Sequence, residues 1–225
     1  MIFLGPDGRL LGRHAQNDID APGDAPLLLA EMQRVLAETK RIAEGAIPEP
    51  AEGRERIGKP LPEWSPDGWL TGEPRRLEQM RGEVLLVRFF TDRCPFCAVS
   101  MPALQALQDK HHAAGLRIVG FFHPKPRGSS RDLDALRALL AEWQVTFPIA
   151  LDTRWTTLDA WWLANQRRRF TSVSFLLDRK GRVRFLHPGP ELHQGEAGCT
   201  VAVEDCNRSH ADLEAAIRKL LAETS

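Results

Sequence analysis

The sequence predicts an α/β fold, a mixed central sheet flanked by helices on both faces. Three observations carry this. From Val84 onward, apolar runs of strand length alternate with stretches whose apolar positions recur at helical spacing. The run Val84 to Phe90 is almost continuously apolar with a single Arg, the pattern of a strand buried on both faces. The last part of the chain reads as a hairpin followed by a helix, which adds antiparallel pairing to an otherwise parallel arrangement.

Taken in order, residues 1 to 45 read as a hairpin and a helix: Phe3-Leu4, the turn Pro6-Asp7-Gly8, Leu10-Leu11, then Leu28 to Ala43. Residues 46 to 74 are rich in Pro and Gly and read as a linker with an irregular lead-in, which puts a boundary near residue 50. The expected organisation is an N-terminal hairpin-helix extension over 1–50 and one domain over 51–225. After the strand Val84 to Phe90, residues 95 to 114 are helical, Gly115 stops the helix, and Leu116 to Phe122 returns as a strand. A helix from Leu133 to Trp143, a short strand from Phe147 to Leu151 and a helical turn or two over Thr157 to Gln166 follow. Val173 to Leu177, the turn Asp178-Arg179-Lys180-Gly181 and Val183 to Leu186 form the closing hairpin, and Ala211 to Ala222 the last helix.

Lys plus Arg and Asp plus Glu each number 30, so no strong field of either sign points to nucleic acid or an anionic membrane as partner. The longest apolar runs, such as Val84-Leu85-Leu86-Val87, fall far short of the roughly 20 residues that span a bilayer. The start has no basic leader or apolar signal, so the chain as written reads as cytoplasmic, or as periplasmic or otherwise extracytoplasmic if an upstream signal was lost.

Four cysteines fall into two pairs, Cys94 with Cys97 and Cys199 with Cys206. Cys94-Pro95-Phe96-Cys97 follows a buried-type strand and opens a helix, at the carboxyl end of a strand where open α/β sheets place their sites. Two cysteines at this spacing can close a small disulfide ring, and the exposed helix amides favour negative charge on the first sulfur. Cys94 is therefore the expected nucleophile. Its thiolate attacks a substrate disulfide, and Cys97, one helical turn on, resolves the mixed disulfide. Pro95 fits the first helical turn, and Phe96 is an apolar contact for substrate.

From about Ile57 onward the chain resembles the thioredoxin superfamily, in its TlpA-like or redoxin branch. The features that carry the resemblance are Val84 through Cys97, Met101-Pro102 in the following helix, Phe147-Pro148 with Asp152, and Phe175-Leu176-Leu177-Asp178 leading to Gly181. It implies a thioredoxin fold and a thiol–disulfide oxidoreductase that reduces protein disulfides and is recharged by a thiol electron donor. Substrate would meet Arg93, Pro95, Phe96, Thr171 and Ser172. No metal or cofactor is called for, since no nucleotide-binding glycine loop or flavin signature is present.

The sequence departs from that family pattern at three places. Arg93 stands where relatives carry Trp before the first cysteine. Arg88 stands where thioredoxin has a buried acid, and a cation there would lower the thiol pKa values. Ser172 aligns with the family's cis-proline; without proline a cis bond is costly, so the Thr171–Ser172 peptide is expected to be trans or the loop strained.

Cys199 and Cys206 read as a local disulfide or thiols, ahead of an electron relay; the spacing with His193 and His210 does not match usual zinc ligands. His123-Pro124-Lys125-Pro126 reads as a solvated connection, with lining of the active-site rim as the alternative; Arg167-Arg168-Arg169 reads as a solvated face, with attraction of an acidic substrate as the alternative; and Trp161-Trp162 reads as packed in the core or against the first helix. Residues 1 to 45 echo the C-terminal hairpin and helix, Leu36-Ala37-Glu38-Thr39 recurring as Leu221-Ala222-Glu223-Thr224, so they can be read as the remnant of a second thioredoxin-like domain. A monomer or weak homodimer is expected. Two other functions stay open: a thiol peroxidase of the redoxin type, because Thr91 stands three residues before Cys94, and a non-enzymatic redox-sensing binding module.

Overall fold

The computed structural model describes residues 2–4, 10–13, 52–164, 168, 170–195 and 203–223. The chain divides into two compact units, Met1–Ala51 and Glu52–Ser225. In the first, β1 (Ile2–Leu4) and β2 (Leu10–Arg13) pair as an antiparallel hairpin. The helix expected over Leu28 to Ala43 lies outside the described residues.

The second unit is built on a six-stranded sheet in the order β3-β6-β5-β4-β7-β8. Its strands are β3 (Gly68–Thr71), β4 (Val84–Phe90), β5 (Leu116–Phe122), β6 (Ile149–Leu151), β7 (Val173–Leu177) and β8 (Val183–Pro188). β4, β5 and β6 run parallel, while β3, β7 and β8 pair antiparallel to their neighbours. This is the mixed sheet of the thioredoxin fold.

Every residue of β4 is buried, as its apolar run requires of a strand covered on both faces. Alternation sends Val84, Leu86 and Phe90 into one core and Leu85, Val87 and Phe89 into the other. The first core is closed by α1 (Pro95–His111), α2 (Leu133–Glu142) and α4 (Val203–Ala222) through Met101, Leu104, Leu136, Leu140, Leu213 and Ile217. The second is closed by Leu61, Trp64, Leu77 and the short α3 (Thr156–Leu158), which runs on through a π-turn at Asp159–Leu163. Trp161 and Trp162, both fully buried in the π-turn, lie in this core as expected.

The elements differ from the sequence reading at their edges. Gly68–Thr71, read as part of the irregular lead-in, is an edge strand; only Trp69 and Leu70 are apolar, too short a run to show alternation. β6 begins at Ile149 rather than Phe147, because Pro148 has no amide to give a ladder. α4 begins eight residues before Ala211. Its first turns carry Asn207 and Ser209, poor helix formers, yet Cys206 and His210 continue the buried stripe of Leu213, Ile217 and Leu220 at spacings of four and three. Among the described residues, no helix is long and apolar enough to cross a membrane.

Candidate active site

α1 starts directly after β4. Cys94 is its N-cap, in extended conformation, and Pro95 is the first helical residue, where a missing amide costs nothing. The amides of Cys97 and Ala98 donate to the Cys94 carbonyl at 3.0 and 3.2 Å, closing the first turn. Cys94 is partly exposed and Cys97 fully buried, and both are unbridged thiols. Next to them in the chain, Arg93 and Pro95 are exposed and Phe96 is half-buried.

Four groups meet at the Cys97 sulfur. The Cys94 thiol, hydrogen-bonded to it, is the strongest influence and favours its thiolate; burial acts the other way; the Arg88 guanidinium, the Thr91 backbone amide and the Ser172 hydroxyl favour the thiolate again. The net effect lowers the Cys97 pKa. That same shared hydrogen bond, with burial and the Cys97 charge, holds the proton on Cys94 and raises its pKa, against the pull of the Phe96 and Cys97 amides. The shared hydrogen bond thus leaves one proton and one charge between the two sulfurs, with the helix-start amides of Phe96 and Cys97 favouring charge on Cys94 and Arg88, Thr91 and Ser172 favouring it on Cys97.

Arg88 is fully buried, on β4 between Gly120 of β5 and Ser174 of β7. Its guanidinium donates to Ser174 Oγ at 3.1 Å, the Gly189 carbonyl at 3.1 Å and the Pro190 carbonyl at 2.6 Å. Gly189 has φ 111°, a conformation that favours glycine, and Ser100 of α1 also donates to the Pro190 carbonyl, at 2.7 Å. Arg88 and Ser100 thus pin the turn after β8 beneath the thiols.

Ser172 places its hydroxyl 3.6 Å from the Cys97 sulfur. Among the described residues the cis peptide is Lys125–Pro126, so the Thr171–Ser172 bond is trans. Thr171 instead bonds through its hydroxyl to His123 Nε2 at 2.8 Å. His123 is fully buried, edge-on to Trp155 with ring centroids 5.2 Å apart. Burial first, then the Lys125 and Arg88 charges, push its pKa down to about 3, so the ring is neutral. The reading of this stretch as a solvated loop is therefore wrong at His123. The amide of His123 donates to the Phe90 carbonyl at 3.0 Å, carrying the β4–β5 pairing one residue further and drawing the ring inside.

Arg168 is likewise packed rather than solvated, 4.2 Å over the Trp162 ring and paired with Glu55; Arg167 and Arg169 lie outside the described residues. Cys199 does too, and with it the expected pairing to Cys206. Cys206 is buried, with its sulfur 3.7 Å from Glu191 Oε2. Ser100 is the residue here that sequence reasoning passes over, and helical spacing from Cys97 is the available signal for it; for His123 the sequence reading sets a rim position second to a solvated loop.

Comparison with known proteins agrees with this picture. Two curated relatives match about half of the chain: Protein DipZ of Mycobacterium tuberculosis, 27% identical over 125 residues, and the thioredoxin-like protein YneN of Bacillus subtilis, 28% identical over 120. The matches cover 54% and 53% of this chain but 17% of DipZ and 65% of YneN. Among solved structures, a protein described as a protein disulfide isomerase from Bacteroides thetaiotaomicron shares the fold with TM-score 0.58 at 22% identity, over 75% of this chain and 91% of that one. A thiol-disulfide isomerase from Corynebacterium glutamicum does so with TM-score 0.54 at 23% identity, over 73% and 97%. The model of the AhpC/TSA family matches residues 57–186, which hold β3 to β7, most of β8 and the whole Cys94–Cys97 site, and the chain belongs to that family.

Proposed function

We propose that this chain is a thiol–disulfide oxidoreductase that exchanges disulfides with protein partners through Cys94-Pro95-Phe96-Cys97. One observation carries the reading: a partly exposed thiol caps the N-terminus of a helix, and the second thiol, three residues on, is buried with the Ser172 hydroxyl 3.6 Å from its sulfur. The names of the relatives and structural neighbours, thioredoxin-like protein and thiol-disulfide isomerase among them, support the same chemistry.

Written in the direction of protein-disulfide reduction, the Cys94 proton passes to Cys97 and the Cys94 thiolate attacks one substrate sulfur. A Cys94–substrate disulfide forms and a substrate thiolate leaves. Cys97 then gives its proton to that thiolate or to solvent. No carboxylate is needed for this, because Arg88, the Thr91 amide and Ser172 hold the resulting charge. The Cys97 thiolate attacks Cys94, the second substrate thiolate departs, and the enzyme is left as a disulfide. A thiol donor returns it to the dithiol, and each step is reversible. Arg93 and Phe96 flank the approach, and Thr171 and Ser172 line its other side.

Insulin reduction with dithiothreitol as donor tests this. Wild type should accelerate precipitation of the insulin chains, with activity lost in Cys94→Ser and in Cys97→Ser. Turnover that neither substitution alters would refute the reading. The thiol-peroxidase alternative needs the Thr91 hydroxyl at the Cys94 sulfur, but it donates to Asp92 Oδ1 at 3.2 Å. Peroxide consumption abolished by Cys94→Ser and surviving Cys97→Ser would reinstate it.

A further inference from the structure

Arg88 is a guanidinium buried without a carboxylate. It forms no ion pair with any described residue, and the neighbouring buried acid, Glu191, faces Cys206 instead. Three of its contacts are neutral oxygens, and its Nε, also buried, has no hydrogen-bond partner. A buried cation left in this state is costly unless an anion faces it. The groups that interact with its charge are the two thiols at the start of α1, with His123, itself neutral, nearby.

We infer that Arg88 is the buried counter-ion of the reduced dithiol, so that the site is poised to take electrons and its substrates are proteins bearing reduced cysteine pairs. The inference rests on the exchange reading above and reverses the direction that the sequence suggested. In the dithiol form one sulfur is a thiolate and Arg88 is neutralised. In the disulfide form the anion is gone and the guanidinium keeps only its carbonyl cage. Arg88 therefore stabilises the reduced state selectively, and a pair whose reduced form is stabilised is an oxidant.

The oxidising cycle balances. A substrate thiolate attacks the Cys94–Cys97 disulfide at Cys94 and Cys97 leaves as a thiolate onto Arg88. The second substrate thiol, on losing its proton, displaces Cys94 and closes the substrate disulfide. Two electrons pass to the enzyme, one proton stays on the sulfur pair and the other goes to solvent. A second disulfide-bearing molecule restores the enzyme by the reverse exchange.

The test is equilibration of the full-length chain with reduced and oxidised glutathione, read by thiol alkylation and mass, for wild type, Arg88→Met and Arg88→Lys. Arg88→Met should move the equilibrium about tenfold toward the enzyme disulfide, about 30 mV for a two-electron couple, and shift the onset of thiolate ultraviolet absorbance to higher pH. Arg88→Lys should stay close to wild type, because it keeps the charge. Arg88 also ties down the Gly189-Pro190 turn, so the methionine variant can fail to fold. Wild type alone then decides: its dithiol form should melt at a higher temperature than its disulfide form.

A folded Arg88→Met with an unchanged glutathione equilibrium, or a wild-type disulfide form that melts above the dithiol form, overturns the inference. Both readouts are independent of any protein substrate, so they can fail while insulin turnover still depends on Cys94 and Cys97. Conversely, the exchange reading can fail while the glutathione equilibrium still responds to Arg88.

Discussion

The Ser172 hydroxyl lies 3.6 Å from the Cys97 sulfur, on a residue that joins its predecessor through a trans peptide. A serine there does something an imino acid cannot, since it can donate to the resolving thiolate. Ser172→Ala should raise the pKa of the pair and slow resolution. A neutral hydrogen bond contributes about 1 kcal/mol, or several-fold in rate. Rapid-quench alkylation should show the mixed disulfide on Cys94 persisting longer in Ser172→Ala than in wild type, and equal lifetimes would remove Ser172 from the resolving step.

His123 is held neutral at a pKa near 3 by burial and by the Lys125 and Arg88 charges, while in the unfolded chain histidine titrates near 6.5. Between those values the unfolded state binds the extra proton, so this stabilisation is complete above about pH 6.5 and is lost as pH falls. From pH 6.5 to 5 the loss should be about 2 kcal/mol. Urea unfolding across that range should show it for wild type and not for His123→Gln, which retains a polar partner for Thr171. A variant as acid-sensitive as wild type would contradict the assignment.

Asp152 is buried, and its carboxylate accepts the amides of Thr157 at 3.0 Å and Leu158 at 2.8 Å, capping α3 beneath the aromatic core. Asp152→Ala should cost about 2 kcal/mol, since a cap is lost and two amides are left without an acceptor. Asp152→Asn, which keeps one acceptor oxygen, should cost less. Thermal melts at neutral pH rank the three proteins.

The strands and helices around the cysteines were legible because each signal was local. The β4 run, the Cys-Pro-Phe-Cys helix start and Gly115 as a stop need no knowledge of tertiary contacts. β3 was not legible, because Trp69 and Leu70 become a strand only by pairing with β6. The role of Arg88 was half legible. The sequence placed a cation near the thiols, but the carbonyl cage that holds it comes from Gly189 and Pro190, some 100 positions along the chain. His123 was misjudged for the same reason: its partner Thr171 is 48 positions away.

The central claim is that Cys94 attacks and Cys97 resolves. Cys97→Ser, incubated with a disulfide-bearing protein such as insulin and quenched with an alkylating agent, should accumulate a mixed disulfide that peptide mass mapping locates at Cys94. Cys94→Ser under the same conditions should accumulate none. A mixed disulfide that maps to Cys97 or Cys206, or that forms equally in Cys94→Ser, would contradict the account.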